Sequence, residues 1–349
     1  MLILQGIIPT YRLPIFNSLA EVYDLTIGYT ISTSEINPGF KSYQVSHIRI
    51  KNIFLPTYKF LKSLKKYDVI IIMPDMHYIN YCLVPFLPLK QKVISFSIGM
   101  RASYKLLYDV KRKKQFLDYF FLRILKSCDA NIFYYEYPIN FWGGLLDSKK
   151  IFIANNTVKV LKLRPEKSKK KIILFLGSLI EGKGIFSLLE AYNHAYITKG
   201  IQFPLKIVGE GPLEDRIREF LNKNNLNSKV LISGAIYEEE LLKEMFSEAI
   251  FCISPDQAGL SVLKSFGYGV PFITKTDAIT GGERLNILNG INGILYQSQE
   301  ELNNIMSDTE KSIDYFYEMG LNALEYYNEN ATIIKMKEGF INAIEYSLK

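Results

Sequence analysis

Short apolar runs alternate with longer segments of helical periodicity along almost the whole 349-residue chain. A strand, a crossover helix and a parallel strand form the repeating unit of a parallel sheet, so this alternation predicts an α/β fold. The predicted strands cover residues 2–8, 25–29, 45–50, 69–73, 92–97, 130–133, 151–154, 171–176, 205–208, 230–232, 250–253, 272–274 and 293–296. Predicted helices include residues 211–224, 238–247 and 261–268.

The length of the chain exceeds that of one ordinary core and fits two domains. Residues 158–170 lose periodicity and become basic and polar, as interdomain linkers do, so a boundary is predicted near residue 165. The predicted domains cover residues 1–165 and 166–330. The last residues, 331–349, form an amphipathic closing helix that is expected to pack back on the first domain. A ligand is expected at the carboxyl ends of the sheets.

The two domains differ strongly in charge. Residues 1–165 hold 23 Lys and Arg against 10 Asp and Glu, a net charge of +13, whereas the remainder has a net charge of −6. Such an excess indicates an anionic partner, either nucleic acid or an anionic membrane face. The hydrophobic content of 48% and charged content of 22% are typical of a globular protein and exclude a disordered chain.

Three cysteines, Cys82, Cys128 and Cys252, are widely separated and lack metal-ligand spacing. They fit buried apolar groups in a reducing cytoplasm. No targeting segment and no transmembrane helix is predicted, because the N-terminal apolar run is short and the apolar region 69–89 is interrupted by polar residues and prolines.

An apolar strand runs into a glycine-spaced turn carrying one lysine at residues 171–184, KIILFLGSLIEGKG. Gly177, Gly182 and Gly184 let the backbone approach an anion, the following helix directs free N–H groups at it, and Lys183 adds a positive charge. A diphosphate-bearing ligand is therefore predicted. The triphosphate-binding pattern G-x-x-x-x-G-K-[ST] nearly matches, but Gly184 stands where a magnesium-binding hydroxyl is required. A plain glycine-rich strand-to-helix connection stays open as an alternative.

Five segments in fixed order resemble bacterial retaining glycosyltransferases of family 4, of the surface-polysaccharide type. They are FLGSLIEGKG (175–184), KIVGEGPLEDRI (206–217), SGAIYEEELLKEMFSEAIFCISP (233–255), GLSVLKSFGYGVPFI (259–273) and GGERLNILNGINGILY (281–296). The resemblance implies the GT-B architecture, with two Rossmann-like α/β/α domains whose parallel sheets face each other across a cleft. It also implies transfer of a sugar from a nucleotide diphosphate sugar, without a metal ion and with retention of configuration.

The chain departs from the family pattern at three positions where the family has charged residues. The family's glutamate pair, which contacts the donor sugar and the ribose, corresponds to Asp256 and Lys264. An ammonium cannot accept hydrogen bonds from ribose hydroxyls, so the nucleotide base is left open. Ser178 stands where the family has an arginine, and compensation is expected from Lys264, Arg12 or Arg101.

The resemblance and the loop chemistry together give a set of candidate residues. The predicted catalytic residues are Lys183, Asp256, Glu283 and His77. The predicted donor-binding residues are Gly177, Ser178, Gly182, Gly184, Gly234, Ser254, Gly259, Leu260, Ser261, Lys264, Gly281 and Gly282. Gly209 and Gly211 lack the third glycine of a dinucleotide fingerprint, so a tight turn is predicted there, with Pro212 at the first helical position.

Polar residues also follow the predicted strands of the first domain. They are Arg12, Asp75, His77, Gly99 and Arg101, and they form the predicted acceptor side. Arg12 can bind a phosphate of donor or acceptor, or lie at the surface as a solvated side chain. His77 or Asp75 can position or deprotonate an acceptor hydroxyl, although the leaving phosphate can take that proton itself.

Residues 105–126 combine Lys and Arg clusters with Leu, Phe and Tyr, which suits a membrane interface or a core helix with a solvated basic face. The membrane interpretation places the enzyme at the cytoplasmic membrane face, with a lipid-linked saccharide acceptor, in capsule, O-antigen or exopolysaccharide assembly. The expected partners are the nucleotide-sugar donor and the acceptor, with no cofactor, metal or nucleic acid. A catalytically inactive GT-B relative that binds partners and a nucleotide-sugar epimerase are the alternatives.

Overall fold

The computed structural model describes residues 1–32, 39–102, 106 and 108–349. The chain divides into two compact units, Met1–Val158 with Thr332–Lys349, and Lys159–Ala331. The sequence places the division near residue 165, whereas in the structure it follows Val158. Within the described ranges, no helix has both the length and the apolar character needed to span a bilayer.

The first unit is built on a parallel sheet. Its strands and helices are β1 Leu2–Gln5, α1 Leu13–Ala20, β2 Thr26–Tyr29, β3 Lys41–Gln44, β4 His47–Ile50, β5 Ile53–Pro56, α2 Tyr58–Leu64, β6 Val69–Ile72, α3 Ile79–Cys82, β7 Lys92–Ser97, α4 Phe116–Ser127, β8 Ala130–Phe133, α5 Tyr137–Trp142 and β9 Ile151–Ile153. Among the described residues the sheet has seven strands in the order β3-β2-β1-β6-β7-β8-β9. Leu2 of the interior strand β1 pairs with Thr26 on one side and Ile70 on the other.

The strand predicted over residues 45–50 is present as β4, His47–Ile50, but it does not belong to the parallel sheet. The sheet strand β3 ends before it, and β4 instead pairs antiparallel with β5 in a separate two-stranded ribbon. The reason is a tight turn at Lys51 and Asn52, where Lys51 adopts a left-handed backbone with φ of 53°. Two-residue turns of this kind join adjacent antiparallel strands.

Only part of the basic segment predicted over residues 105–126 is helical. Its residues 105 and 107 lie outside the described residues, and helix α4 covers Phe116–Ser127. Helix α4 starts with a capping box, in which Gln115 and Asp118 each bond the other's backbone N–H. The helix therefore begins where this pair can form, well after the first basic residues of the segment.

The second unit also contains a parallel sheet. Its elements are β10 Ile172–Leu176, α6 Ile185–Lys199, β11 Leu205–Val208, α7 Glu214–Lys223, β12 Val230–Ile232, α8 Glu239–Glu248, β13 Ala249–Ile253, β14 Gln257–Ala258, α9 Ser261–Gly267, β15 Phe272–Lys275, β16 Ile279–Thr280, β17 Gly293–Tyr296, α10 Gln299–Ser307 and α11 Ile313–Asn330. Six strands follow the order β12-β11-β10-β13-β15-β17 in this described unit, and β14 pairs with β16 in a small parallel ribbon. The α/β class with parallel sheets is confirmed.

Strand β10 lies in the interior of its sheet between β11 and β13, which explains its uninterrupted apolar sequence. Ile173 and Phe175 are fully buried, together with Leu188, Leu189 and Tyr192 of α6. This packing fixes the loop between β10 and α6, because both ends of the loop are anchored in the core.

The C-terminal helix α12, Ile333–Leu348, returns to the first unit. Met336, Phe340, Ala343 and Ile344 follow the spacing of one helical face and are buried in that unit's core. The ring of Phe340 meets Phe96 of β7 edge to face, with centroids 4.7 Å apart. The amphipathic pattern of the last residues is thus accounted for by packing within the first unit.

Candidate functional site

Backbone hydrogen bonds fix the loop that follows β10. The Gly177 N–H donates to Val208 O (3.0 Å), and the Leu179 N–H donates to Glu210 O (2.9 Å). Gly209 approaches this loop so closely that a β-carbon there would lie 1.8 Å from Gly177 O. Gly209 is therefore a packing glycine. The turn ends in helix α7, which starts at Glu214, so Pro212 precedes the helix instead of opening it.

The side chain of Lys183 lies over the start of the same loop. A single 3-10 turn, Glu181–Lys183, brings it back so that a β-carbon on Gly177 would lie 3.5 Å from Lys183 Nζ. Burial lowers the pKa of Lys183, while Cys252 and Glu283 act in the opposite direction. Among the described residues no hydrogen bond or ion pair engages this ammonium. A half-buried cation beside the first N–H groups of α6, which lack intrahelical acceptors, is suited to bind an anion.

Asp256 is held directly against the lysine loop. It follows β13, its N–H donates to Lys183 O (3.3 Å), and its Oδ2 would lie 2.6 Å from a β-carbon on Gly184. The pKa of Asp256 is raised above its usual value, mainly by burial. The positive charge of Lys275 opposes this shift, and the negative charge of Asp277 adds to it. Lys275, at the end of β15, is a cation that the sequence-based prediction missed, although it follows a predicted strand.

Replacing Gly184 by alanine is expected to destabilise the second unit and displace Asp256. Gly184 has φ of 68°, and a β-carbon would lie 2.6 Å from Asp256 Oδ2 and 2.8 Å from Pro255 Cβ. The left-handed backbone alone costs about 1–2 kcal/mol for a residue with a side chain. Gly182→Ala is the matched control, since no atom lies within 4 Å of a β-carbon there. Urea unfolding checks both variants, and equal stability of the two would contradict the role of Gly184.

Glu283 is close enough to Lys183 to act on its pKa. It is 7% exposed, and its Oε2 accepts a hydrogen bond from the Gly281 N–H (3.1 Å). The Gly282 N–H donates to Thr280 Oγ1 (3.0 Å). The two glycine N–H groups predicted to face a donor are thus bonded within their own loop. The β14–β16 ribbon pairs Ala258 with Thr280 and so links this loop to the one that carries Asp256.

Lys264 does not supply a free second cation. Its Nζ forms an ion pair with Glu239 at the start of α8, and only 12% of the Lys264 side chain is exposed. The Tyr268 hydroxyl donates to the other carboxylate oxygen of Glu239 (3.0 Å). The sequence-based prediction missed Glu239, because residues 25 positions apart meet only once α8 and α9 are packed.

The remaining donor-side candidates lie in varied settings. Ser178 is exposed, whereas Ser254 is fully buried at the end of β13, and its hydroxyl has no partner among the described residues. The half-buried residues Gly259, Leu260 and Ser261 lead into α9, and Gly234 O accepts the Gly209 N–H (2.7 Å). In the described ranges, no cluster of three or more His, Cys, Asp or Glu has the arrangement of a metal site.

The prediction that Arg12 faces a ligand cleft needs correction. Arg12 is 3% exposed within the first unit, and its guanidinium donates to the Tyr134 hydroxyl and to Met336 Sδ (3.9 Å). It lies over the rings of Phe96 and Tyr134, with distances of 4.8 and 4.9 Å to their centroids. These cation–π contacts offset the cost of burying the Arg12 guanidinium, so Arg12 packs against the Phe96 and Tyr134 rings as a structural residue.

A cavity of about 570 Å³ lies in the first unit at the carboxyl ends of β6 and β7. Asp75, His77, Ser97 and Arg101 line it, together with Met73, Met76, Met100, Phe121 and Tyr134. His77 Nδ1 lies 2.8 Å from Asp75 Oδ1. Since an ionised carboxylate only accepts, Nδ1 carries the proton in this pair, and Nε2 of the neutral ring can accept one. Gly99 has a structural contact, because its carbonyl accepts a hydrogen bond from the Trp142 indole N–H (2.8 Å).

Asp118 is a buried carboxylate beside this cavity. Both its oxygens accept from Arg112, at 2.7 and 2.8 Å, and Arg101 Nη1 lies 3.6 Å away. Burial alone would raise the pKa of Asp118, but the hydrogen bonds from Arg112 and the Gln115 N–H hold it below its usual value. The sequence-based prediction missed Asp118, which lies inside the basic segment and neutralises part of it.

The second unit matches a known protein family over most of its length. Residues 161–331 match the family model described as glycosyl transferases group 1. These residues form a group 1 glycosyl transferase domain. The expectation of a glycosyltransferase is therefore confirmed for this domain, which contains Lys183, Asp256 and Glu283.

One curated relative is an uncharacterized glycosyltransferase of Methanocaldococcus jannaschii, MJ1178, which is 25% identical over 180 residues, 51% of this chain. The match spans 48% of that relative, about half its length. Among solved structures, the Anabaena protein Alr3699/HepE in complex with UDP superimposes with a TM-score of 0.74 at 13% identity over 99% of both chains. The lipopolysaccharide outer core galactosyltransferase WaaB has a TM-score of 0.69 at 15% identity, also over 99% of both chains. These likenesses confirm the GT-B fold.

Proposed function

We propose that the chain is a retaining glycosyltransferase that moves a sugar from a nucleotide diphosphate sugar to a saccharide acceptor. The observation that carries this proposal is the position of the Lys183 ammonium, 3.5 Å from a β-carbon placed on Gly177, inside a group 1 domain. The loop glycines and the helix N-terminus around it supply further anion-binding groups.

The proposed chemistry uses charge stabilisation without a metal ion. Negative charge grows on the diphosphate as the glycosidic bond breaks, and Lys183 with the N-terminus of α6 stabilises it. Asp256, held against Gly184, is proposed to bind the donor sugar. Burial lowers the pKa of Lys183, and the charge of Glu283 opposes that lowering and so helps to keep the ammonium charged.

A uridine diphosphate sugar is the proposed donor. Support comes from the Anabaena neighbour, whose structure contains UDP. Lys264 occupies the position of the family's second glutamate. Because it forms an ion pair with Glu239, this position holds no unpaired cation.

The cavity of the first unit is the proposed acceptor site. The pair of Asp75 and His77 can orient an acceptor hydroxyl and take up its proton, while Arg101 adds positive charge at the same wall. The acceptor is proposed to be lipid-linked, and the enzyme to act at the cytoplasmic membrane face in surface polysaccharide assembly. Support comes from Phe116 and Tyr119 of α4, which are 85% and 55% exposed within a basic segment, and from the fold shared with WaaB.

Thermal unfolding with a panel of UDP, GDP, CDP and TDP sugars tests the donor. A ligand at about 100 times its Kd adds roughly 2.7 kcal/mol of stability, so UDP sugars are expected to raise Tm by several degrees. Hydrolysis of the donor is then followed without acceptor. Slow release of nucleotide supports a transferase, whereas conversion of the donor into an epimer would favour an epimerase. Absence of any Tm shift, or binding without turnover in the presence of acceptor extracts, would favour an inactive relative.

A further inference from the structure

The two-stranded ribbon of the first unit carries an aliphatic face. Ile48 pairs with Leu55, and Ile50 with Ile53, across the β4–β5 ribbon. Residues opposite each other in antiparallel strands lie on the same face, so these four side chains form one surface. Ile48, Ile50 and Ile53 are 54%, 55% and 43% exposed. The four residues Ile48, Ile50, Ile53 and Leu55 are called the ribbon face below.

The opposite face of the ribbon holds it to the first unit. Phe54 is 5% exposed and stacks on Tyr78, with ring centroids 5.2 Å apart. The Phe54 N–H donates to His77 O (2.8 Å), and the His47 ring meets Phe54 edge to face. The ribbon is thus anchored through Phe54, and its aliphatic side is not needed for that packing. A contiguous exposed aliphatic surface on an anchored element marks an interaction site.

The segment that carries the ribbon face has charges of one sign. Residues 47–66, which contain the ribbon and α2, hold six basic and no acidic residues. All six are exposed: Arg49, Lys51, Lys59, Lys62, Lys65 and Lys66. In the described part of the chain none of them forms an ion pair. Tyr58, the first residue of α2, is 81% exposed.

We propose that the ribbon face is a docking surface for an anionic lipid bilayer. Aliphatic side chains enter the boundary between headgroups and acyl chains, while the surrounding lysines contact anionic headgroups. A second copy of this chain is disfavoured, because a two-fold contact would bring the same basic surfaces together. The exposed aliphatic side chains, flanked by six exposed basic residues in the same segment, are complementary to an anionic membrane.

The ribbon also connects the bilayer to the acceptor cavity. His77, whose carbonyl accepts the Phe54 N–H, lines that cavity, and Tyr78 follows it directly. A docked ribbon therefore holds the cavity rim beside the headgroups, where a lipid-linked acceptor lies. This connection rests on the proposed function, whereas the docking itself does not.

Vesicle flotation tests the docking surface. The full chain is expected to float with phosphatidylglycerol-containing vesicles at low salt, and much less with phosphatidylcholine alone. The variant I48S/I50S/I53S is expected to lose about tenfold or more in partitioning, because its apolar contact with the acyl boundary is removed. The matched control Ile334→Ser, at a side chain 67% exposed on α12 of the same unit, is expected to float as the wild type does.

A charge variant provides an independent test of membrane docking in case the triple variant folds poorly. K62E/K65E leaves the ribbon intact and is expected to lose the preference for anionic over neutral vesicles. Flotation of both variants at the wild-type level would overturn the proposal, as would a wild-type dimer that the triple variant dissociates. Hydrolysis of a soluble donor by the triple variant is expected to be unchanged, so failure of docking is distinguishable from failure of the proposed transfer.

Discussion

Lys183→Ala is expected to lower donor turnover by roughly 10²–10³-fold, because removing one preorganised group that stabilises a developing anion costs about 3–4 kcal/mol. Lys183 is the side chain that lies over Gly177, and its residue directly precedes Gly184, the N-cap of α6. The measurement is kcat for nucleotide release from the donor, with and without acceptor extract. The effect is expected in kcat, since the charge on the diphosphate grows only as the bond breaks.

The control for this variant is Lys199→Ala, at an exposed lysine that ends α6. It removes the same charge and the same side chain at the opposite end of α6, without touching the loop. Turnover of this control is expected to match the wild type. If Lys183→Ala also kept wild-type turnover, the proposed role of the glycine loop would be refuted.

Asp118→Asn is expected to destabilise the first unit by about 3–5 kcal/mol, because it leaves buried arginine charge without its carboxylate. Asp118 is fully buried and bonds Arg112 through both oxygens, while Arg101 lies 3.6 Å away. The measurement is chemical unfolding of the full chain. Asp24→Asn is the control, since the pair of Asp24 and Lys41 is largely exposed and is expected to contribute nothing measurable.

The same carboxylate predicts a pH dependence. The pKa of Asp118 in the folded state is lower than in the unfolded chain, where it is near 4. Its contribution to stability is therefore complete above that unfolded value and is lost as pH falls through the folded value. The difference in unfolding free energy between wild type and Asp118→Asn is expected to shrink with acid. A difference that stays constant down to the folded value would show that ionisation of Asp118 does not carry the effect.

The sheets could be predicted because their signal is local. Strand β10 is apolar at every position, since it is covered on both faces, and the glycine-spaced turn after it adjoins the strand directly. The sequence did not predict the β4–β5 ribbon, and the reason is also local. The turn at Lys51 and Asn52 lacks the glycine that usually marks a tight hairpin, so the pattern indicated a strand of the parallel sheet instead of a hairpin.

The charges of the site could not be predicted to the same extent, because their partners are distant in sequence. Lys264 meets Glu239 across two helices, and Arg12 meets Tyr134 from 122 positions away. Asp118 pairs with Arg112 nearby, but only a capping box that starts α4 brings them together. Glycine spacing reports backbone geometry, whereas the partner of a long cationic side chain depends on the packing of whole elements.

Calorimetric titration of UDP and uridine into wild type and Lys183→Ala tests the central claim most directly, because the two ligands differ only in the diphosphate. The wild type is expected to bind UDP far more tightly than uridine, and the variant is expected to lose most of that difference while its affinity for uridine stays the same. An undiminished preference for UDP in the variant would show that the Lys183 ammonium does not hold the diphosphate.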